Sequence, residues 1–171
     1  MAYASASLPR RNGHLLPAAV ALLLAGMAAP LHIVLGGASW PLIWLPFSIV
    51  ALWPRQVAAL PSAILLLLGG LWVDWTTLGA TGQWASVFLI TYAVVRPDLA
   101  ESVRGMVSGL ARTGQALLIG LPVLVLTGRV VYGLWPDVMA LSRGLLVLLL
   151  LLPLIIVIRD LFAGRLSRND F

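Results

Sequence analysis

The sequence predicts an all-α fold, a polytopic membrane bundle of about six transmembrane helices with both termini in the cytoplasm. Three observations predict it: 61% of the 171 residues are hydrophobic, only 10% are charged, and the apolar residues fall into long runs. A soluble domain carries about 25% charged residues, so this chain cannot cover itself with a polar surface. Runs that approach the roughly 20 residues needed to cross a bilayer as helix indicate an integral membrane protein.

Six apolar segments follow one another along the chain. They run over residues 15–35, 39–53, 57–74, 80–95, 114–135 and 141–158. The first is predicted to be a retained span and not a signal peptide, because its apolar core exceeds the usual roughly 7–15 residues. The predicted organisation is therefore an N-terminal cytoplasmic segment (1–14), a transmembrane bundle (15–158) and a cytoplasmic tail (159–171).

The arginines predict the orientation of the bundle. All 11 basic residues are arginines, and only Arg129 and Arg143 fall outside the segments assigned to the cytoplasm. The others are Arg10, Arg11, Arg55, Arg96, Arg104, Arg112, Arg159, Arg165 and Arg168. Cytoplasmic loops are enriched in positive charge, so both termini are predicted to lie inside. We expect a multi-pass protein of the bacterial inner (cytoplasmic) membrane whose arginines meet anionic lipids, not nucleic acid.

Asp74 is the only acidic residue in the first 97 positions, and it ends a long apolar run. A carboxylate at the edge of hydrocarbon is costly, so it needs a partner or a function. Asp74 and Arg129 are expected at similar depth, about 25 Å and about 21 Å along their helices from the cytoplasmic side. Two alternatives follow: the two charges pair, or each reaches the outer interface separately.

Small residues and one connection are candidate contact surfaces. Ala21, Ala25 and Ala29 form a ridge of small residues on the first span, and Gly69 and Gly70 do the same on the third. Such ridges either pack helices within one bundle or dock another subunit's helix. The connection over residues 97–113 has apolar residues at helical spacing. It is predicted to be an amphipathic helix that lies on the cytoplasmic leaflet, against a partner, or on its own bundle.

No catalytic, metal-binding or cofactor-binding residue is predicted. The chain has no cysteine, and its two histidines, His14 and His32, have no other metal-binding residue nearby in sequence. No serine has a base placed beside it, and Asp137 and Asp160 fall on opposite faces of the membrane. We therefore expect a protein that is not an enzyme and carries no cofactor.

The stretch over residues 40–97 has an ordered pattern of motifs. A span led by Pro41 is followed by a basic turn at 53–55 and then by the string from Gly69 to Asp74. The pair Leu78-Gly79 comes next, and a further apolar span follows it. This pattern, about one-third of the chain, resembles the rod shape-determining protein MreD family.

The resemblance implies a non-catalytic subunit of the bacterial cell-elongation (rod) complex, or elongasome. Such a subunit is a scaffold for peptidoglycan synthesis and cell-shape maintenance. Its implied partners are an MreC-like periplasmic scaffold, an MreB-like actin homologue and the membrane peptidoglycan synthases. The outer loops at residues 74–83, which include Gly79 and Gln83, and at 135–142 would face the periplasmic partners.

Two other functions compete with this one. The first is the substrate-binding membrane subunit of an energy-coupling-factor-type vitamin transporter, which is also a small six-span bundle. In that case Asp74, Gln83, Thr91 and Arg129 would supply a polar site near the outer mouth. The second is a small membrane enzyme, for which the sequence offers no acid–base pair.

Overall fold

The computed structural model describes residues 15–54, 57–95, 106–133, 135 and 137–168. The elements in this part are α1 (Leu15–Ala28), β1 (His32–Leu35), β2 (Ala38–Pro41), α2 (Leu45–Ala51), α3 (Ala59–Thr76), α4 (Gln83–Val95), α5 (Met106–Tyr132) and α6 (Val138–Arg168). Three stretches are long and apolar enough to cross a membrane: Ala59–Thr76, Gly109–Val131 and Val138–Ile158. The protein is thus predominantly helical, and its helices have the composition of a membrane protein.

The prediction of an all-α fold missed a small antiparallel hairpin. Strands β1 and β2 pair with Leu35 opposite Ala38, which leaves Gly36 and Gly37 as a two-residue loop. Both glycines have positive φ, 58° and 76°, as a tight hairpin turn of this kind requires. The first apolar segment, predicted to run to residue 35, therefore ends as a helix at Ala28 and continues as a strand.

The second predicted span, 39–53, is wrong as a single helix. It contains β2, a turn and then α2, whose 7 residues extend about 10 Å. A proline in the first turn of α2 favours its start there, and Pro54 follows soon after its end. α2 contacts α1, α4, α5 and α6, and its Phe47 is completely buried. Irregular backbone at membrane depth is tolerated only inside protein, and α2 lies there.

Other boundaries also differ from those predicted. Residues 106–113, expected in a separate amphipathic helix over 97–113, form the first turns of α5; residues 96–105 lie outside the described residues. The segment 1–14, with His14, lies outside them as well. α6 continues to Arg168, so the predicted tail 159–171 begins within the last helix. α1 and α4 are apolar but have only 14 and 13 residues.

Glycines allow the helices to pack closely. Gly69 on α3 faces the side chain of Leu22 on α1, and Gly120 on α5 faces Phe47 on α2. Gly70 lies directly against the backbone of α4, where a Cβ would be 2.5 Å from the amide nitrogen of Ala85. These glycines are therefore used inside the bundle, where α4 packs between α3 and α5.

One end of the bundle gathers most of the irregular structure. The hairpin, the 77–82 loop and the start of α6 meet there, and we call it the hairpin end. At this end the Thr76 hydroxyl donates a hydrogen bond to the carbonyl oxygen of Gly26, 3.0 Å away, and so joins α3 to α1. This end holds the side chains considered below.

Gly70→Ala is expected to destabilise the fold by about 1–3 kcal/mol, because the new methyl group meets backbone that cannot rotate away. Gly114→Ala is the matched control: it lies in α5 with open space around it, and alanine there favours the helix by about 0.5–1 kcal/mol. Thermal unfolding in detergent measures both variants. Equal melting temperatures for the two would contradict the close α3–α4 approach.

Candidate functional site at the hairpin end

Asp74 is buried near the end of α3, and its carboxylate binds the start of α4. Its side chain is 2% exposed. One carboxylate oxygen accepts the amide N–H of Gly82 at 2.8 Å, and the other accepts that of Trp84 at 2.9 Å. The first N–H groups of a helix have no partner within the helix. A negative charge there is also stabilised by the partial positive charge of the helix N-terminus. Asp74 therefore caps the N-terminus of α4 from the preceding helix.

The chain between Asp74 and α4 turns through a Schellman motif. The amide of Gly79 donates to the Asp74 carbonyl oxygen at 2.9 Å, and that of Leu78 donates to the Trp75 carbonyl oxygen at 3.3 Å. Glycine is the usual residue at the left-handed position of this motif, but here Leu78 occupies it with φ of 51°. A left-handed conformation costs a non-glycine residue about 1–2 kcal/mol. We call residues 74–84 the α3–α4 corner.

The corner presents two large apolar side chains to its surroundings. Trp75 is 72% exposed and Leu78 is 91% exposed. Trp75 packs edge-to-face on Trp72, with ring centres 5.5 Å apart, so its indole is held in place from one side. The strained Leu78 gains no packing within the described part of the chain that would offset its backbone conformation.

Of the two alternatives for Asp74 and Arg129, the structure shows separate partners and no ion pair between the two. Arg129 donates from Nη1 to the carbonyl oxygen of Gly133 at 2.7 Å, and its guanidinium carbon lies 5.3 Å from the ring centre of Trp135. Arg129 thus caps the end of its own helix, α5, which favours a cation. Both charges do lie towards the hairpin end, but α4 packs between α3 and α5 and its backbone amides satisfy Asp74 instead.

The four residues expected to form a polar mouth do not converge. Asp74 and Arg129 have the separate partners just described. Gln83 donates from Nε2 to the carbonyl oxygen of Leu124 at 3.3 Å, which ties α4 to α5. Thr91 lies two helical turns further along α4, buried, and its hydroxyl has no hydrogen-bond partner among the described residues. Only Gln83 of the four lines an open cleft.

That cleft lies at the hairpin end and has a volume of about 430 Å³. The hairpin, α4, α5 and the first turns of α6 form its walls. Its lining residues are His32, Ser39, Pro41, Ile43, Gln83, Trp84, Leu124, Asp137, Ala140, Leu141 and Arg143. Polar and charged groups among apolar walls at this size are typical of small-molecule sites.

The sequence did not single out Asp137 and Arg143 as site residues. Asp137 directly precedes α6, and its Oδ1 accepts the amide N–H of Met139 at 2.8 Å. An aspartate directly before an apolar run is an N-cap signal, so the capping role of Asp137 could be predicted from the sequence. The position of Arg143 was not, because it depends on the hairpin packing against α6.

The candidate ridge on α1 is largely covered by the bundle. Ala25 and Ala29 are buried, and Ala21 is half-buried. This burial corresponds to the packing alternative and leaves little of the ridge for another subunit's helix.

Among the described residues, no group of three or more His, Cys, Asp and Glu side chains is arranged to hold a metal ion. In comparisons with known proteins, no family model, curated protein or solved structure matches the chain significantly.

Asp74→Ala is expected to lower the free energy of unfolding by about 3 kcal/mol or more, since it leaves two buried amides without an acceptor. Asp74→Asn should cost less, because one amide oxygen remains. Asp137→Ala is the matched control: it removes an exposed cap and should cost about 1 kcal/mol. Thermal unfolding in detergent ranks the three variants, and a cost at Asp74 no larger than at Asp137 would contradict the buried cap.

Asp74→Asn and Arg129→Gln are expected to be additive. Their partners are separate, so the double variant should lose the sum of the single losses within about 0.5 kcal/mol. The free energies of unfolding of the four proteins form a double-mutant cycle. A coupling energy above about 1 kcal/mol would instead show that Asp74 and Arg129 interact.

Proposed function

We propose that this protein is a non-catalytic integral membrane subunit of the bacterial cell-elongation complex, as its resemblance to the MreD family implies. In this proposal it is a multi-pass protein of the inner membrane with both termini in the cytoplasm, and residues 39–53 return through the bundle as a strand, a turn and the short helix α2. The hairpin end then faces the periplasm. Arg129 and Arg143 are the arginines assigned to that side, and the positive-inside tendency supports this orientation.

The resemblance is supported by how its residues are used together. Gly70 lets α3 and α4 touch, Asp74 caps α4, and Leu78 and Gly79 form the turn between the two helices. All of them serve one structural unit, the α3–α4 corner.

The exposure of Trp75 and Leu78 on this corner is the main support for the scaffold role. An exposed tryptophan on a rigid base, such as Trp75, is a typical anchor of protein interfaces. Backbone strain at Leu78 is retained in the fold, and strain of this kind clusters at functional positions. We assign the corner to an MreC-like periplasmic partner. In the same proposal the arginine-bearing connection over residues 97–113 faces the cytoplasmic, MreB-like partner.

The alternative, a vitamin-transporter subunit, now depends on a different set of residues. Its expected site of Asp74, Gln83, Thr91 and Arg129 is dispersed, and the open cleft is the observation that favours it instead. The two functions are separated by their partners. A transport subunit should co-purify with an ATP-hydrolysing energising complex, and a scaffold with an MreC-like protein.

Depletion of the protein in its bacterium is expected to turn rod-shaped cells round, and affinity purification should recover an MreC-like protein. Microscopy and mass spectrometry measure these outcomes. Cells that stay rod-shaped, together with purified protein free of an MreC-like partner, would overturn the proposal.

Leu78→Gly should raise the free energy of unfolding by about 1 kcal/mol while it lowers recovery of that partner, since it relieves the left-handed strain but removes the anchor. Trp75→Ala should also lower recovery. Leu118→Ala is the control, because it truncates an equally exposed residue in the middle of α5. Unchanged recovery with both corner variants would exclude the corner as the docking surface.

A further inference from the structure

The cleft at the hairpin end has an uneven distribution of charge. The N-termini of α4 and α6 both reach it, and each carries a partial positive charge. Asp74 already meets the first of these, and Asp137 meets the second through its bond to the amide of Met139. Within the described residues, the two carboxylates near this cleft are thus both matched to helix N-termini.

Arg143 is the remaining charge of the cleft. It is half-buried on α6, a little under two turns from Asp137. Among the described residues it has no ion pair and no hydrogen bond, in contrast to Arg129, which binds Gly133 and Trp135. A half-buried guanidinium favours an anion that accepts two parallel hydrogen bonds, such as a carboxylate or a phosphate.

The rest of the cleft is suited to an apolar group. Ile43, Trp84, Leu124 and Leu141 provide apolar lining, and the indole of Trp84 is fixed edge-to-face by Trp44 at 5.8 Å between ring centres. Gln83 supplies one further polar group: its Nε2 is used on Leu124, which leaves its side-chain oxygen as an acceptor. The volume of about 430 Å³ lies within the roughly 300–1,000 Å³ typical of small-molecule sites.

We infer that this cleft binds a small amphiphilic anion, with its carboxylate or phosphate on Arg143 and its apolar body against the half-buried Ile43 and Leu141. The same chemistry is offered by an anionic lipid headgroup from the outer leaflet and by a water-soluble molecule. This site does not depend on the proposed scaffold role, because it uses a different surface from Trp75 and Leu78.

The test uses the full-length protein in phosphatidylcholine nanodiscs at fixed ionic strength. One arm adds phenyl phosphate as a water-soluble probe, and the other replaces part of the lipid with phosphatidylglycerol. The inference predicts a higher melting temperature in at least one arm, which identifies the source of the ligand. Arg143→Gln should weaken that probe's apparent affinity about tenfold or more.

Two variants separate the cleft from general charge attraction. Arg129→Gln removes the same charge at the same end and should leave the affinity unchanged within about twofold, because a single exposed charge contributes little. Ala140→Trp fills the cleft without a change in charge and should weaken binding as Arg143→Gln does. The inference is overturned if neither probe stabilises the unmodified protein, or if Arg129→Gln weakens binding as much as Arg143→Gln. Should Ala140→Trp fail to fold, the two arginine variants decide.

Discussion

The carboxylate of Asp74 accepts the amides of Gly82 and Trp84 and so ties the end of α3 to the beginning of α4. Because both oxygens are used and the group is buried, the two helices cannot separate here without exposing unpaired polar atoms to an apolar surrounding. The orientation of α4 follows from this contact. Trp84 then enters the core against Trp44, and Gln83 reaches α5.

Close packing extends the same constraint to the rest of the bundle. Gly70 brings the backbones of α3 and α4 together one turn from Asp74, and Gly120 admits Phe47 from the short helix α2. α2 does not span the bundle, and the strand and turns on either side of it carry backbone groups that lipid would not satisfy. Its burial among four other helices makes this interrupted segment compatible with a membrane.

The sequence predicted the class of protein and the free-energy cost of burying the Asp74 carboxylate. It did not predict which groups stabilise that carboxylate. Hydropathy locates apolar helices well because it records average burial in lipid, and α3, α5 and α6 overlap the segments that it predicts, although α5 begins earlier and α6 ends later. The sequence does not predict the partners of Asp74, because the depth of charged side chains says nothing of the backbone, and these partners are backbone amides at most ten residues away. A clue was present: Gly82, just before α4, has no side chain to cap the helix.

The hairpin was missed for a related reason. Gly36-Gly37 between short apolar runs is a hairpin signal, but in a chain this hydrophobic the same residues also read as a turn between spans. The cleft was missed for the same reason, since its walls include the hairpin and the start of α6. From the sequence alone, Arg143 bears only on the predicted orientation of the bundle.

Amide hydrogen exchange at Gly82 and Trp84 tests the central interaction most directly. Both amides lie at the start of a helix, where no earlier turn protects them, so protection must come from Asp74. We predict slow exchange at both positions in the unmodified protein and a marked acceleration in Asp74→Ala, with exchange in the middle of α5 unchanged. Fast exchange at these amides in the unmodified protein, or equal rates in the variant, would contradict the account.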